Sequence, residues 1–89
     1  MNKIMLITTK GCKACDIMKN NIVEALTSTT KDISVVVKNR EDMDKTELKK
    51  YNGIDFPTIL FYNDGIMKYK YSGTRPVVVI LRWIDIYLT

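Results

Sequence analysis

Histidine is absent from this 89-residue chain. Its absence excludes Ser-His-Asp and Cys-His catalysis, His-ligated zinc and His-ligated haem, and leaves acid–base work near neutral pH to a perturbed Cys, Lys or carboxylate. Long apolar runs are also missing. Ile4 to Ile7 is cut short by Thr8 and Thr9, and Val77 to Leu81 is the longest run near the other end, so neither a signal-peptide core nor a membrane span fits. Strong charge of one sign is lacking too: 14 Lys plus Arg stand against 10 Asp plus Glu, a net +4 spread along the chain without a basic cluster. The expectation is a cytoplasmic protein with no membrane and no nucleic-acid partner. The length gives one domain over residues 1–89 with no room for a cofactor domain, and the 46% hydrophobic content is that of a globular chain.

Elements follow from hydrophobic periodicity and turn residues. Ile4 to Thr9 is rich in β-branched residues and stops at Lys10-Gly11, which predicts a strand ending in a tight turn. A helix over about residues 12–27 follows, because Cys15, Met18, Ile22, Ala25 and Leu26 recur at helical spacing while Asp16, Lys19, Asn20 and Glu24 fill the other face. Ile33 to Lys38 reads as a second strand, and its apolar run predicts burial on both faces. Asp44 as N-cap, Glu47 as capping-box partner and Met43 poised to staple onto Leu48 predict a second helix that Gly53 ends.

Thr58 to Tyr62 is a third strand, Asn63-Asp64-Gly65 a hairpin turn, and Ile66 to Ser72 a fourth strand. Lys68 and Lys70, on one face of that strand, suit an exposed edge. From Thr74 onward, Val77, Ile80, Leu81, Ile84 and Leu88 predict a last helix with Pro76 in its first turn. The order β-α-β-α-β-β-α and a right-handed βαβ crossover give an α/β fold: a four-stranded mixed sheet with three helices.

The chain has two cysteines, and they stand together as Cys12-Lys13-Ala14-Cys15 where the first strand hands over to the first helix. This spacing over one helical turn brings the sulfurs within disulfide reach. At a helix N-terminus the unpaired N–H groups and the macrodipole favour an anion, which singles out the Cys12 thiolate; Lys13 and Lys10 add positive charge, and Cys15 is expected to be the more buried. Three other readings of the pair stand beside a redox dithiol. A structural disulfide is one, although so short a loop contributes only about 2 kcal/mol and a reducing cytosol opposes it. A metal or Fe–S half-site completed by a second chain is another, and unconnected cysteines are the third.

The pair does not stand alone. With Cys12 to Cys15 after the first strand, Phe56-Pro57-Thr58 opening the third, Asn63-Asp64-Gly65 at the hairpin and Gly73 ending the fourth, nearly the whole chain resembles the thioredoxin-like superfamily. With eleven residues before Cys12, the body is of glutaredoxin size. The sequence departs from thioredoxins in two further places. Gly11-Cys12-Lys13-Ala14-Cys15 replaces their Trp-Cys-Gly-Pro-Cys, and Leu6 stands where they place a buried acid, so that Lys38, the counterpart of their lysine, lacks that carboxylate. The Gly-Gly-x-x-Asp of glutaredoxins is absent. Tyr71-Ser72-Gly73-Thr74-Arg75-Pro76 is similar to the Ser-Gly-x-Arg-Pro segment of small redoxins that feed electrons to ribonucleotide reductase.

The resemblance implies a thiol-disulfide oxidoreductase, a protein-disulfide reductase with Cys12 and Cys15 catalytic. Gly11, Lys13 and a cis Pro57 packed on the cysteines would support the site, and Phe56, Thr58, Gly73 and Thr74 would contact an extended substrate. It implies no cofactor and no metal. The partners would be disulfide-containing proteins and a reductase or small-thiol electron donor. A monomer is expected, with the surplus apolar residues Val78, Val79, Ile86 and Tyr87 on the last helix as the alternative face for a homodimer. Arg75 reads as a solvated charge. The rival from another class is a metal or Fe–S carrier that pools two Cys-x-x-Cys pairs across a homodimer.

Overall fold

β1 (Asn2–Thr8) is the strand around which the others are arranged. In a computed structural model that describes residues 1–51 and 53–89, it lies inside a four-stranded sheet of order β2-β1-β3-β4. It pairs parallel with β2 (Ile33–Asn39) and antiparallel with β3 (Thr58–Asn63), which pairs antiparallel with β4 (Ile66–Ser72). Successive β1 side chains point to opposite faces. Ile4 and Leu6 join Ile59 and Phe61 on the face covered by α1 (Lys13–Thr27) and α3 (Val77–Tyr87), through Met18, Ile22 and Ala25 of α1, Ile80 and Ile84 of α3, and Leu88 at its C-cap. Met5 and Ile7 join Leu60 on the other face, where Met43 closes over them just ahead of the short α2 (Lys45–Lys50). Both faces of β1 are therefore covered, and Ile4, Leu6 and Ile7 are fully buried.

β2 corrects the sequence reading. Its run of β-branched residues predicts burial on both faces, yet no residue of β2 is buried, because the strand lies at the sheet edge and β1 takes the central place. β4, at the other edge, leaves Lys68 and Lys70 exposed, while Tyr69 and Tyr71 pack against the core. There Tyr69 stacks on Tyr87 with ring centroids 4.6 Å apart, and Trp83 lies 5.1 Å from both Tyr69 and Tyr71. This aromatic layer absorbs Trp83 and Tyr87 of the last helix; Val78 and Ile86 stay exposed.

Local boundaries follow local chemistry. Asp64 and Gly65 turn the β3–β4 hairpin with φ of 53° and 81°, the paired left-handed conformations of a two-residue type I′ turn. Asp44 caps α2 by accepting the Glu47 N–H at 2.9 Å. The second half of the predicted capping box does not form, because the Glu47 carboxylate pairs with Lys38 of β2 instead. α3 begins at Val77, later than predicted, with Pro76 as its N-cap; the proline lies just before the first turn rather than within it.

Candidate active site

The strand register places four segments at one end of the sheet. Ile7 is opposite Thr58 and Thr58 is opposite Ser72, so the turn after β1, the segment before β3 and the segment after β4 meet there. Thr8 is opposite Asn39, which brings the 3-10 turn Arg40–Asp42 to the same end.

After β1 the chain turns at Gly11 with φ +66°, a left-handed conformation that favours glycine, and α1 starts at once. Cys12 is its N-cap, in extended conformation, and is disulfide-bonded to Cys15 with the Cα atoms 5.2 Å apart. The Cys12 Sγ accepts the Cys15 N–H at 3.0 Å, so the sulfur itself satisfies one of the free donors of the helix start. Cys15 is 3% exposed and belongs to the buried stripe with Met18, Ile22 and Ala25; Cys12 is half-buried and reachable. Lys13 is exposed.

Glu41, which the sequence reading missed, reaches this turn. Its carboxylate accepts from the Thr9 hydroxyl at 2.6 Å and the Lys10 N–H at 3.1 Å. The Thr9 hydrogen bond is the main cause that holds its carboxyl below the ordinary range. Only the parallel register of β1 and β2 brings residues so distant in sequence together.

The Phe56–Pro57 peptide bond is cis and Pro57 is buried. Thr58 is fully buried as well, so its side chain does not face solvent: the hydroxyl donates to the Asp55 carbonyl at 2.5 Å and meets the Ser72 hydroxyl at 2.7 Å. The Gly73 N–H donates to the Pro57 carbonyl at 2.8 Å, and Gly73 sits at φ +118°. Thr58 and Gly73 thus tie the Pro57 segment to the end of β4. Thr74 is exposed, and Phe56 is half-buried beside a cavity of about 210 Å³ on the α2 face that contains neither cysteine. Arg75 is exposed, as expected of a solvated charge. Its guanidinium lies 4.9 Å from the Tyr71 ring centroid, and its carbonyl accepts from the Asn21 side chain at 3.0 Å.

The departures noted in the sequence have structural counterparts. Leu6 is fully buried, and the buried polar side chains among the described residues, Asn2, Thr8 and Thr58, include no acid. Lys38 is paired with Glu47, whose hydrogen bond raises the lysine pKa. Among the described residues no three His, Cys, Asp or Glu side chains converge as metal ligands, and no helix is long and apolar enough to cross a membrane.

No family model and no curated protein matches the chain. Solved structures do. A thioredoxin-2 described as a component of the malaria parasite protein secretion machinery superposes with a TM-score of 0.83 at 14% identity, covering 96% of this chain and 82% of that one. Thioredoxin O2 from Arabidopsis thaliana in its oxidized state gives 0.78 at 18% identity, with 98% and 76% covered, and a thioredoxin from Aeropyrum pernix gives 0.72 at 20%, with 97% and 75% covered. At such identities the likeness is one of fold: the chain has a thioredoxin-like fold.

Proposed function

We propose that residues 1–89 act as one thioredoxin-like unit, a cytoplasmic thiol-disulfide oxidoreductase that reduces disulfides of protein substrates. The observation that carries this reading is the asymmetry of the Cys12–Cys15 pair. One sulfur is reachable and caps a helix, and its bonded partner is buried one turn along. Such a pair divides the labour of disulfide exchange.

In the reduced protein the Cys12 thiolate attacks one sulfur of a substrate disulfide. The substrate S–S bond breaks, its other sulfur leaves as a thiolate that takes up a proton, and a mixed disulfide joins Cys12 to the substrate. The Cys15 thiolate then attacks the Cys12 sulfur, expels the second substrate thiolate and closes the internal disulfide. Two electrons have passed to the substrate, and a reductase or small thiol returns them. The helix N-terminus and the Cys15 N–H favour the attacking thiolate, and Lys13 adds a nearby positive charge. Phe56 offers backbone to an extended substrate strand, Gly73 and Thr74 border it from the β4 side, and Thr58 keeps the Pro57 segment in place from beneath.

Cys15→Ser tests the mechanism. A serine hydroxyl is scarcely ionised near neutral pH and cannot form a disulfide, so the variant accumulates reducible covalent adducts with substrates, whereas Cys12→Ser accumulates none. Capture of a ribonucleotide reductase subunit would support the Ser-Gly-x-Arg-Pro likeness. Absence of adducts from both variants, with wild-type protein that purifies bearing metal between two chains, would replace the reductase by the carrier.

A further inference from the structure

The two outer strands of the sheet are finished differently. β4 exposes Lys68 and Lys70, a common protection against pairing with another chain, whereas β2 presents Val35, Val36 and Val37 in succession, with Val35 and Val37 37% and 39% exposed. Val23 of α1, 55% exposed, flanks the same apolar face: Leu6, Ile22, Val23, Val35, Val37 and the stem of Lys19 line a cavity of about 140 Å³ there. Among the described residues β2 pairs with β1 alone, so its outer backbone row has no strand beside it.

We propose that this edge is a self-complementary dimer interface, with β2 joined antiparallel to β2 of a second copy about a two-fold axis through Val36, to give one continuous eight-stranded sheet. The charges select both partner and register. About Val36, the stretch 32–40 is self-complementary: Val35 faces Val37 on the side flanked by Val23, and Asp32, the residue just before β2, comes to Arg40 of the second copy, the first residue of the 3-10 turn just after it, at both ends. Asp32 and Arg40 are exposed, and neither has an ion-pair partner among the described residues. Centring on Val37 instead would set Asp32 against Asp42. Centring on Val35 would set Asp32 against Lys38, already held by Glu47, and leave Arg40 opposite Thr30. The interface is isologous and closes at two copies. Because the axis reverses the strands, the two Cys12–Cys15 ends point in opposite directions.

Sedimentation equilibrium under reductant, which removes any intermolecular disulfide, tests this. Wild type is expected to dimerise reversibly. Asp32→Arg sets two Arg–Arg contacts in place of two ion pairs and should weaken the dimer about tenfold or more, while Asp32→Arg combined with Arg40→Asp restores it with the charges exchanged. Both substitutions are at exposed positions, and circular dichroism verifies that the variants stay folded. Wild type that remains monomeric up to about 1 mM, a dimer indifferent to Asp32→Arg, or a double variant that fails to recover each overturns the proposal.

Discussion

Reducing the Cys12–Cys15 disulfide should destabilise the folded protein by a small, calculable amount. The bond closes a loop of four residues at the start of α1. The chain-entropy expression assigns such a loop about 6 cal/mol/K of lost freedom in the unfolded state, or about 2 kcal/mol at 25 °C. A counter-effect acts on the reduced fold: a thiolate at the N-cap accepts the Cys15 N–H more strongly than a bridged sulfur does, and the helix macrodipole adds roughly 0.3–1 kcal/mol in its favour. The net expectation is that the oxidised form is more stable by about 1–2 kcal/mol, which for a chain of this size moves the melting temperature by roughly 5–15 °C. By the thermodynamic cycle, the fold then holds its disulfide more firmly than the unfolded chain does by the same free energy. Paired calorimetric melts of oxidised and fully reduced protein measure the gap, and a Cys12→Ser/Cys15→Ser double variant, blind to reductant, controls for effects of the reductant. A reduced form that melts at or above the oxidised one would refute the loop-entropy reasoning.

Much of this fold is legible in the sequence because its signals are local. The α1 stripe from Cys15 to Ala25, the Asn63-Asp64-Gly65 turn and the bounds of β4 follow from periodicity and turn chemistry, and the structure places them there. β2 departs from its sequence expectation for a reason of principle. Consecutive valines satisfy a buried central strand and a hydrophobic edge strand alike, and only the order β2-β1-β3-β4, a non-local property, decides between them. Glu47 shows the same limit at a single side chain. The capping box is a local motif, but a lysine from β2 competes for the carboxylate and takes it.

At the site, the two cysteines and the asymmetry of their burial can be read from their place at a strand–helix junction. The contacts that gather the remaining residues cannot. Thr58 to Asp55 and Ser72, Gly73 to Pro57, and Glu41 to Thr9 depend on the register of three strand pairs, and register is set by side-chain packing across the whole sheet.

Phe61→Ala should cost about 3–5 kcal/mol in urea unfolding, because the fully buried ring contacts Tyr69, Trp83 and Tyr87 and its removal opens a cavity that the strand cannot close. Acid should weaken the fold through Glu41 and Asp64, both held below the usual carboxylate range, chiefly by the Thr9 hydroxyl and by the chain's amino terminus respectively. A depressed folded pKa adds stability that is complete above the unfolded value of about 4 and is lost as pH falls through the folded one, so urea midpoints decline over that window and Glu41→Gln flattens the decline; an unchanged slope would show that the Glu41 bonds contribute nothing. Thr58→Val tests whether the Pro57 segment must be held in place for activity. Valine keeps the shape but removes the fully buried hydroxyl that donates to the Asp55 carbonyl and meets Ser72, at a cost of about 0.5–1.5 kcal/mol. Lys31→Met, which removes bonds to the Ile84 and Leu88 carbonyls at the far end of α3, should cost a comparable amount and serves as the stability-matched control. Since Thr58 and Lys31 lie at opposite ends of the sheet, equal destabilisation with a selective loss of disulfide-reductase activity in Thr58→Val assigns Thr58 a positioning role, and equal activity in the two variants removes it.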